Sequence, residues 1–144
     1  MKFKELKEDL LNRANACKSF YRVILTATCK ENLLKAITGN WWQIMVDFKI
    51  IDIAYLEIHF TQEELIAAKI FTRGDHSVEM GRAYACGSST IEAYGSSTVE
   101  AYNNAYVEDR TGKLNKPSDY AIIKDYHAHK IYVKKGQFEI IEVE

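Results

Sequence analysis

Basic residues are not in excess in this chain: 19 Lys and Arg stand against 20 Asp and Glu, a net charge of -1 at pH 7. That balance argues against a general nucleic-acid binder, which needs a basic surface. It also gives no electrostatic reason to sit on an anionic membrane. No apolar run approaches the roughly 18 residues a membrane span requires. The opening residues, Met1 to Leu11, mix Lys and Glu with Leu where a secretory signal would be apolar. Cysteine is scarce. Cys17, Cys29 and Cys86 are odd in number and widely spaced, forming neither a disulfide framework nor a metal-binding CxxC pair. Reduced thiols in a cytoplasm are the expectation. Proline occurs once, at Pro117, and no glycine-rich phosphate loop or catalytic motif is present. No cofactor is expected.

What the chain does have is a repeat. Residues 85–108 are three successive octads, Ala-Cys-Gly-Ser-Ser-Thr-Ile-Glu, Ala-Tyr-Gly-Ser-Ser-Thr-Val-Glu and Ala-Tyr-Asn-Asn-Ala-Tyr-Val-Glu. Each couples an alternating strand pattern to Gly or Asn and small polar residues, so each reads as one strand and one tight turn. Alternation places Ile91 and Ala93 on one face and Thr90, Glu92 and Tyr94 on the other. Val99 and Ala101 repeat the inner face, and Val107 keeps it. Asp109 then replaces the inner Ala, so the regular array is expected to end there.

Length decides how the octads wind. Eight residues extend about 26 Å, whereas two sheets lie roughly 10 Å apart. One octad is too short for a circuit and suits half a turn. Every second octad then stacks in register, about 4.8 Å away, with Glu92 over Glu108. Like charges in register repel, so these glutamates should face water. An antiparallel meander is the competing geometry, but it would favour Asn-Gly or Asp-Gly turns, which the octads lack.

Before Arg73-Gly74-Asp75 the period is helical, and after it the period falls to two. The fold class is therefore α+β: an N-terminal helical bundle over 1–74, then a short β-solenoid over 75–144 with a loop at about 109–119. Leu6, Leu10 and Leu11 stripe the first helix. A second, over Ser19 to Ala27, carries Tyr21, Val23, Ile24 and Leu25 on several sides, which predicts deep burial. Thr28-Cys29-Lys30-Glu31 and Thr61-Gln62-Glu63-Glu64 both have capping-box spacing. Gly39 suits a left-handed cap, and Asn40 can open the helix holding Trp41 and Trp42. Residues 52–59 read as helix, with strand as the alternative.

Past the loop, Ala121 to Lys124, Lys130 to Val133 and Phe138 to Val143 are strand-like. They either continue the solenoid or form a hairpin turning at Lys135-Gly136. An open stack needs caps. The helical half is expected to cover one end and Phe138 to Val143 the other, with Glu139, Glu142 and Glu144 discouraging further edge pairing.

The octads resemble those of a group of bacterial and phage proteins carrying arrays of Ala-Tyr-Gly-Ser-x-Thr-Val-Glu. The match is specific over residues 83–108 and looser at Ala14-Asn15-Ala16-Cys17, Asn40-Trp41-Trp42-Gln43 and His129-Lys130-Ile131-Tyr132-Val133. The resemblance implies a short β-solenoid behind a helical domain and carries over no catalytic residue.

The candidate partner-binding surface is Tyr84, Glu92, Tyr94, Thr98, Glu100, Tyr102 and Tyr106, with Ser88, Ser89, Ser96, Ser97 and Asn104 between them. Tyrosines beside small polar residues make adaptable recognition surfaces, although the same residues also pack well on sheets. His127 and His129, two apart on an expected strand with Asp125, would share a face as a metal site needs. No fourth ligand is evident, so no metal is assigned. Asp75, His76 and Glu79 lie near Cys86, but Cys86 fills the place of a repeat Tyr rather than a nucleophile's. Trp41 and Trp42 point about 100° apart on a helix, so at least one belongs to the core. Together these readings favour a non-enzymatic protein-interaction module, with a protein partner and, in a phage or mobile-element setting, a host target. The alternatives are a self-assembling structural solenoid forming a homo-oligomer, and a small enzyme or ligand-binding protein with a site between the halves.

Overall fold

A computed structural model describes residues 2–144 and divides the chain into two compact units, Met1–Ala68 and Lys69–Glu144. Helices make up the first unit. Helix α1 (Phe3–Arg13) buries Leu6 and Leu10, one turn apart, and leaves its Lys and Glu face to water. A 3-10 turn, Ala14–Ala16, leads into α2 (Lys18–Leu25). Lys7 Nζ donates to the carbonyls of Leu25 and Ala27, each at 2.8 Å, placing a cation on the negative end of α2. Burial along α2 is narrower than the sequence suggests. Phe20 and Ile24 are buried, but Val23 and Leu25 are exposed because they lie about 100° to either side of Ile24.

The two expected capping boxes diverge. At the second, Glu64 N donates to Thr61 Oγ1 at 3.1 Å and Thr61 N to Glu64 Oε1 at 3.0 Å, opening α5 (Gln62–Ala67). At the first, α3 (Lys30–Gly39) starts one residue late, after Cys29, and has no side-chain cap. Thr28 is engaged instead by Asn32, whose Oδ1 accepts from the Thr28 amide and hydroxyl at 3.2 and 3.0 Å. Gly39 ends α3 in helical conformation rather than as a left-handed cap. Asn40 Nδ2 donates to the Ala36 carbonyl at 2.9 Å, and Trp41 and Trp42 lead into a π-helical segment, Gln43–Asp47. Residues 53–59 form α4 (Ile53–His59), capped by Asp52 through the Tyr55 amide at 2.8 Å.

Lys69–Glu144 form a short, mostly parallel β-solenoid. Among the described residues its sheet holds six strands in chain order: β1 (Ile70–Phe71), β2 (Asp75–Ala85), β3 (Thr90–Ala101), β4 (Tyr106–Asp109), β5 (Ile122–Asp125) and β6 (Lys130–Val133). Strands β1 to β5 pair parallel. Thr90 lies beside Tyr106 and Tyr106 beside Ile122, so each coil takes sixteen residues, or two octads. A bulge between Val78 and Met80 brings the first coil into this spacing. Ile91, Ala93, Val107 and Ile123 from one arm of the coil share a single apolar core with Ala83, Ala85, Val99 and Ala101 from the other.

Corners repeat with the same period. Gly87, Asn103 and Asp119 have φ of +58°, +56° and +56°, the left-handed region that Gly, Asn and Asp tolerate best. They are also bonded to one another. Gly87 N donates to Asn103 Oδ1 at 3.2 Å, and Asn103 Nδ2 to Asp119 Oδ2 at 3.4 Å. The other corner turns at Gly95, φ +58°, within β3.

Three expectations for the later coils are corrected. The array does not stop at Asp109, which keeps the inner position fully buried, and β4 pairs onward with β5. Its carboxylate is satisfied there: Oδ1 accepts from the Thr111 amide and hydroxyl at 2.9 and 2.6 Å, and Oδ2 from Asn115 Nδ2 at 2.8 Å. Residues 110–120 hold no strand beyond an isolated bridge at Pro117, yet two of them keep the sixteen-residue spacing of the coil. Asn115 stands sixteen residues beyond Val99 and accepts the Val99 amide at 3.2 Å, while Pro117 bridges to Ala101. Finally, the C-terminal region is neither a pure solenoid nor a hairpin at Lys135-Gly136. β5 adds one more parallel rung, then the chain reverses over residues 126–129 into antiparallel β6. Asp125 drives that reversal, its Oδ1 accepting from the His127 and Ala128 amides at 2.9 and 3.0 Å. Phe138 to Val143 form no strand and close no edge; Ile140, Ile141 and Val143 are exposed.

Candidate functional site

Two octads per coil put successive octads on opposite arms. The residues singled out from sequence therefore do not share one face. Glu92, Tyr94 and Tyr106 lie on the outer side of the first arm, whereas Tyr84, Thr98, Glu100 and Tyr102 belong to the second. Tyr84 and Tyr102 are buried, and burial pushes the Tyr84 phenol above its usual value. On that second arm Arg82 pairs with Glu100. Ser89 and Ser97 are buried at the corners, where their hydroxyls donate to the carbonyls of Cys86 and Tyr94 at 2.9 and 2.8 Å. Ser88, Ser96 and Asn104 remain exposed.

The first arm carries the more developed surface. Sixteen-residue stacking produces a column of Glu92, Glu108 and Lys124, with a second column, Tyr94, Arg110 and Tyr126, beside it. The columns are laced together. Tyr94 OH donates to Glu92 Oε2 at 2.5 Å and Tyr126 OH to Glu108 Oε2 at 3.0 Å. Arg110 lies 3.9 Å from Glu108 and stacks over the Tyr126 ring with Cζ 3.9 Å from its centroid. Lys124 also approaches this ring, its Nζ 4.9 Å from the centroid. The bond to Glu92 pushes the Tyr94 phenol up, and contact with Tyr126 raises the Lys124 ammonium. Arg110, Lys124 and Tyr126 lie outside the three successive octads of residues 85–108, and none is among the candidate surface residues. The signal that would have found them is the sixteen-residue spacing from Tyr94 and Glu108, carried past Asp109.

The other candidates have structural employment. His127 and His129 sit in a turn rather than on a strand, His129 with φ +55°, so they do not share a face. Among the described residues no group of three His, Cys, Asp or Glu is placed to hold a metal. Cys86 is buried and its thiol donates to the Phe71 carbonyl at 3.4 Å, while His76 Nε2 lies 2.8 Å from the Arg73 carbonyl oxygen. Trp41 is buried and Trp42 half-buried. In the helical unit a cleft of about 240 Å³ is lined by Glu31, Leu34, Lys35, Glu64, Ala67 and Ala68. It falls below the roughly 300–1,000 Å³ of ordinary ligand sites, and Glu64 there is already bonded to Thr61 and Lys30. The chain matches no family model, no curated protein and no solved structure.

Proposed function

We propose that the chain is a non-enzymatic protein-interaction module that presents the outer face of β3, β4 and β5 to a protein partner. The observation that carries this reading is the paired column Glu92–Glu108–Lys124 and Tyr94–Arg110–Tyr126. Tyrosine and arginine dominate the energetics of protein interfaces. Here their side chains are held by mutual bonds and ring stacking, so little rotamer entropy is left to lose on docking. Both signs of charge are present on the face, which suits a specific partner better than a polyanion. The three octads, with their likeness to bacterial and phage arrays, favour a host protein as the target and the cytoplasm as the setting. In the same reading, the helices of the first unit form a bundle, with α1 and α2 joined through Lys7.

The test is comparative. Tyr94→Ala with Tyr126→Ala should abolish capture of a host protein that the wild-type chain retains, while Arg82→Ala with Lys116→Ala on the other arm should leave capture intact. Circular dichroism of both variants should match wild type. Equal loss in both pairs, or retention in the first, refutes the assignment of this face.

A further inference from the structure

Among the described residues, one strand edge and one strand-prone segment have no strand beside them. β6 is the last strand of the sheet and pairs only with β5, and Ile131 on it is 61% exposed. Seven residues later begins Phe138-Glu139-Ile140-Ile141-Glu142-Val143-Glu144, rich in β-branched residues, with Ile140, Ile141 and Val143 at 75%, 72% and 87% exposure. An open edge beside an apolar, β-prone tail is what soluble proteins ordinarily avoid. The tail does not reach its own edge. Phe138 packs edge-on against Tyr120, ring centroids 6.1 Å apart, in the segment before β5.

Charge specifies what fits. β6 and the turn after it carry Lys130, Lys134 and Lys135; the tail carries Glu139, Glu142 and Glu144. Lysines on an edge repel a like edge and attract an acidic strand. We propose that the occupant of the β6 edge is the tail of a second copy of this chain, added as a seventh strand, and that the exchange is reciprocal. A two-fold arrangement covers both β6 edges and engages both tails at once. Backbone bonds along β6 supply affinity, and the basic and acidic runs set the pairing. This contact is independent of the Tyr–Arg face assigned to the partner.

Charge reversal in the full chain tests it. One variant carries Glu139→Lys, Glu142→Lys and Glu144→Lys; the other carries Lys130→Glu, Lys134→Glu and Lys135→Glu. Sedimentation equilibrium at physiological salt should show wild type as a concentration-dependent dimer. Each variant alone should self-associate more than about tenfold more weakly. An equimolar mixture should recover a heterodimer, because each tail then meets an edge of opposite sign. Folding is checked by circular dichroism, and the substituted side chains lie on the surface. A wild type that stays monomeric, variants that dimerise as wild type does, or a mixture that stays monomeric each overturns the proposal. The last result is also what closure of a tail on its own β6 would give.

Discussion

Glu92 and Glu108 are direct neighbours on adjacent parallel strands, sixteen residues apart in the chain, and each is bonded by a tyrosine two positions away on one strand or one coil on. Two carboxylates side by side on a sheet repel. The phenol donors and the nearby Arg110 make the arrangement tenable, with Lys124 continuing the column. Removing a donor should therefore expose the repulsion. Tyr126→Phe is expected to lower stability by about 0.5–1.5 kcal/mol, and adding Glu108→Gln should recover most of it. Urea unfolding of the single and double variants measures both.

The corner formed by Gly87, Asn103 and Asp119 makes a sharper demand. A Cβ on Gly87 would collide with the carbonyl oxygen of Thr72, and the backbone there is left-handed as well. Gly87→Ala is expected to cost about 2–4 kcal/mol. Asn103 has the same backbone but an established side chain, so Asn103→Gly should lose only its ladder bonds. Asn103→Val should be worse than Asn103→Gly. Thermal melts of the three variants give the order.

Asp109 and Asn115 form a buried pair in positions that the repeat elsewhere gives to Ala and Val. Removing either takes this bond's partner from one buried atom of the other, Asn115 Nδ2 or Asp109 Oδ2, at about 1–3 kcal/mol. Replacing both, Asp109→Ala with Asn115→Val, restores the apolar columns of Ala93 and Val99. The double variant should be more stable than the sum of its singles implies, by 0.5–3 kcal/mol as an order-of-magnitude coupling, about the range seen for contacting residues. A double-mutant cycle in urea reads the coupling directly.

Acid should weaken the helical unit through two carboxyls. Hydrogen bonding from the Thr61 amide, then Lys30, holds Glu64 below its ordinary value; hydrogen bonding from Tyr55, then Arg13, does the same for Asp9. Because both values are depressed by folding, the unfolded chain takes up these protons first as the pH falls. Their stabilisation is whole above about pH 5, beyond ordinary carboxyl values near 4, and disappears as the pH drops through the lower folded values. Asp9→Asn with Glu64→Gln should flatten this acid limb of Tm against pH while changing its neutral end in the destabilising direction. An unchanged limb would show that neither group is responsible.

Much of this architecture can be read from residues 85–108 because identical letters recur at a fixed interval and strand length limits how far eight residues reach. That reasoning yields the half-coil octad and the stacking of Glu92 on Glu108. It fails where chemistry replaces the letters. Asp109 looks like a terminator, since a carboxylate in an apolar column is costly, and only its bonds to Thr111 and Asn115 make the site tolerable. Pro117 looks like loop, yet it needs no amide where it bridges to Ala101. The outer face suffers the same limit. Tyr94 and Tyr102 are equivalent within the octad, but half-coil winding sends them to different arms, one half-exposed and one buried. At Thr28 the box spacing is right, but Asn32 competes for the same amide and hydroxyl.

The fold, the outer face and the exposed end of the sheet all depend on parallel coils of sixteen residues. Nuclear Overhauser contacts between backbone protons of an isotope-labelled chain report that spacing without perturbing it. Tyr106 N donates to Ser89 O at 3.0 Å and Arg110 N to Ala93 O at 2.8 Å, so cross-strand contacts should join Thr90 to Tyr106 and Ile91 to Val107. Contacts joining Thr90 to Thr98, or an antiparallel pattern between residues 90–101 and 106–109, would contradict it.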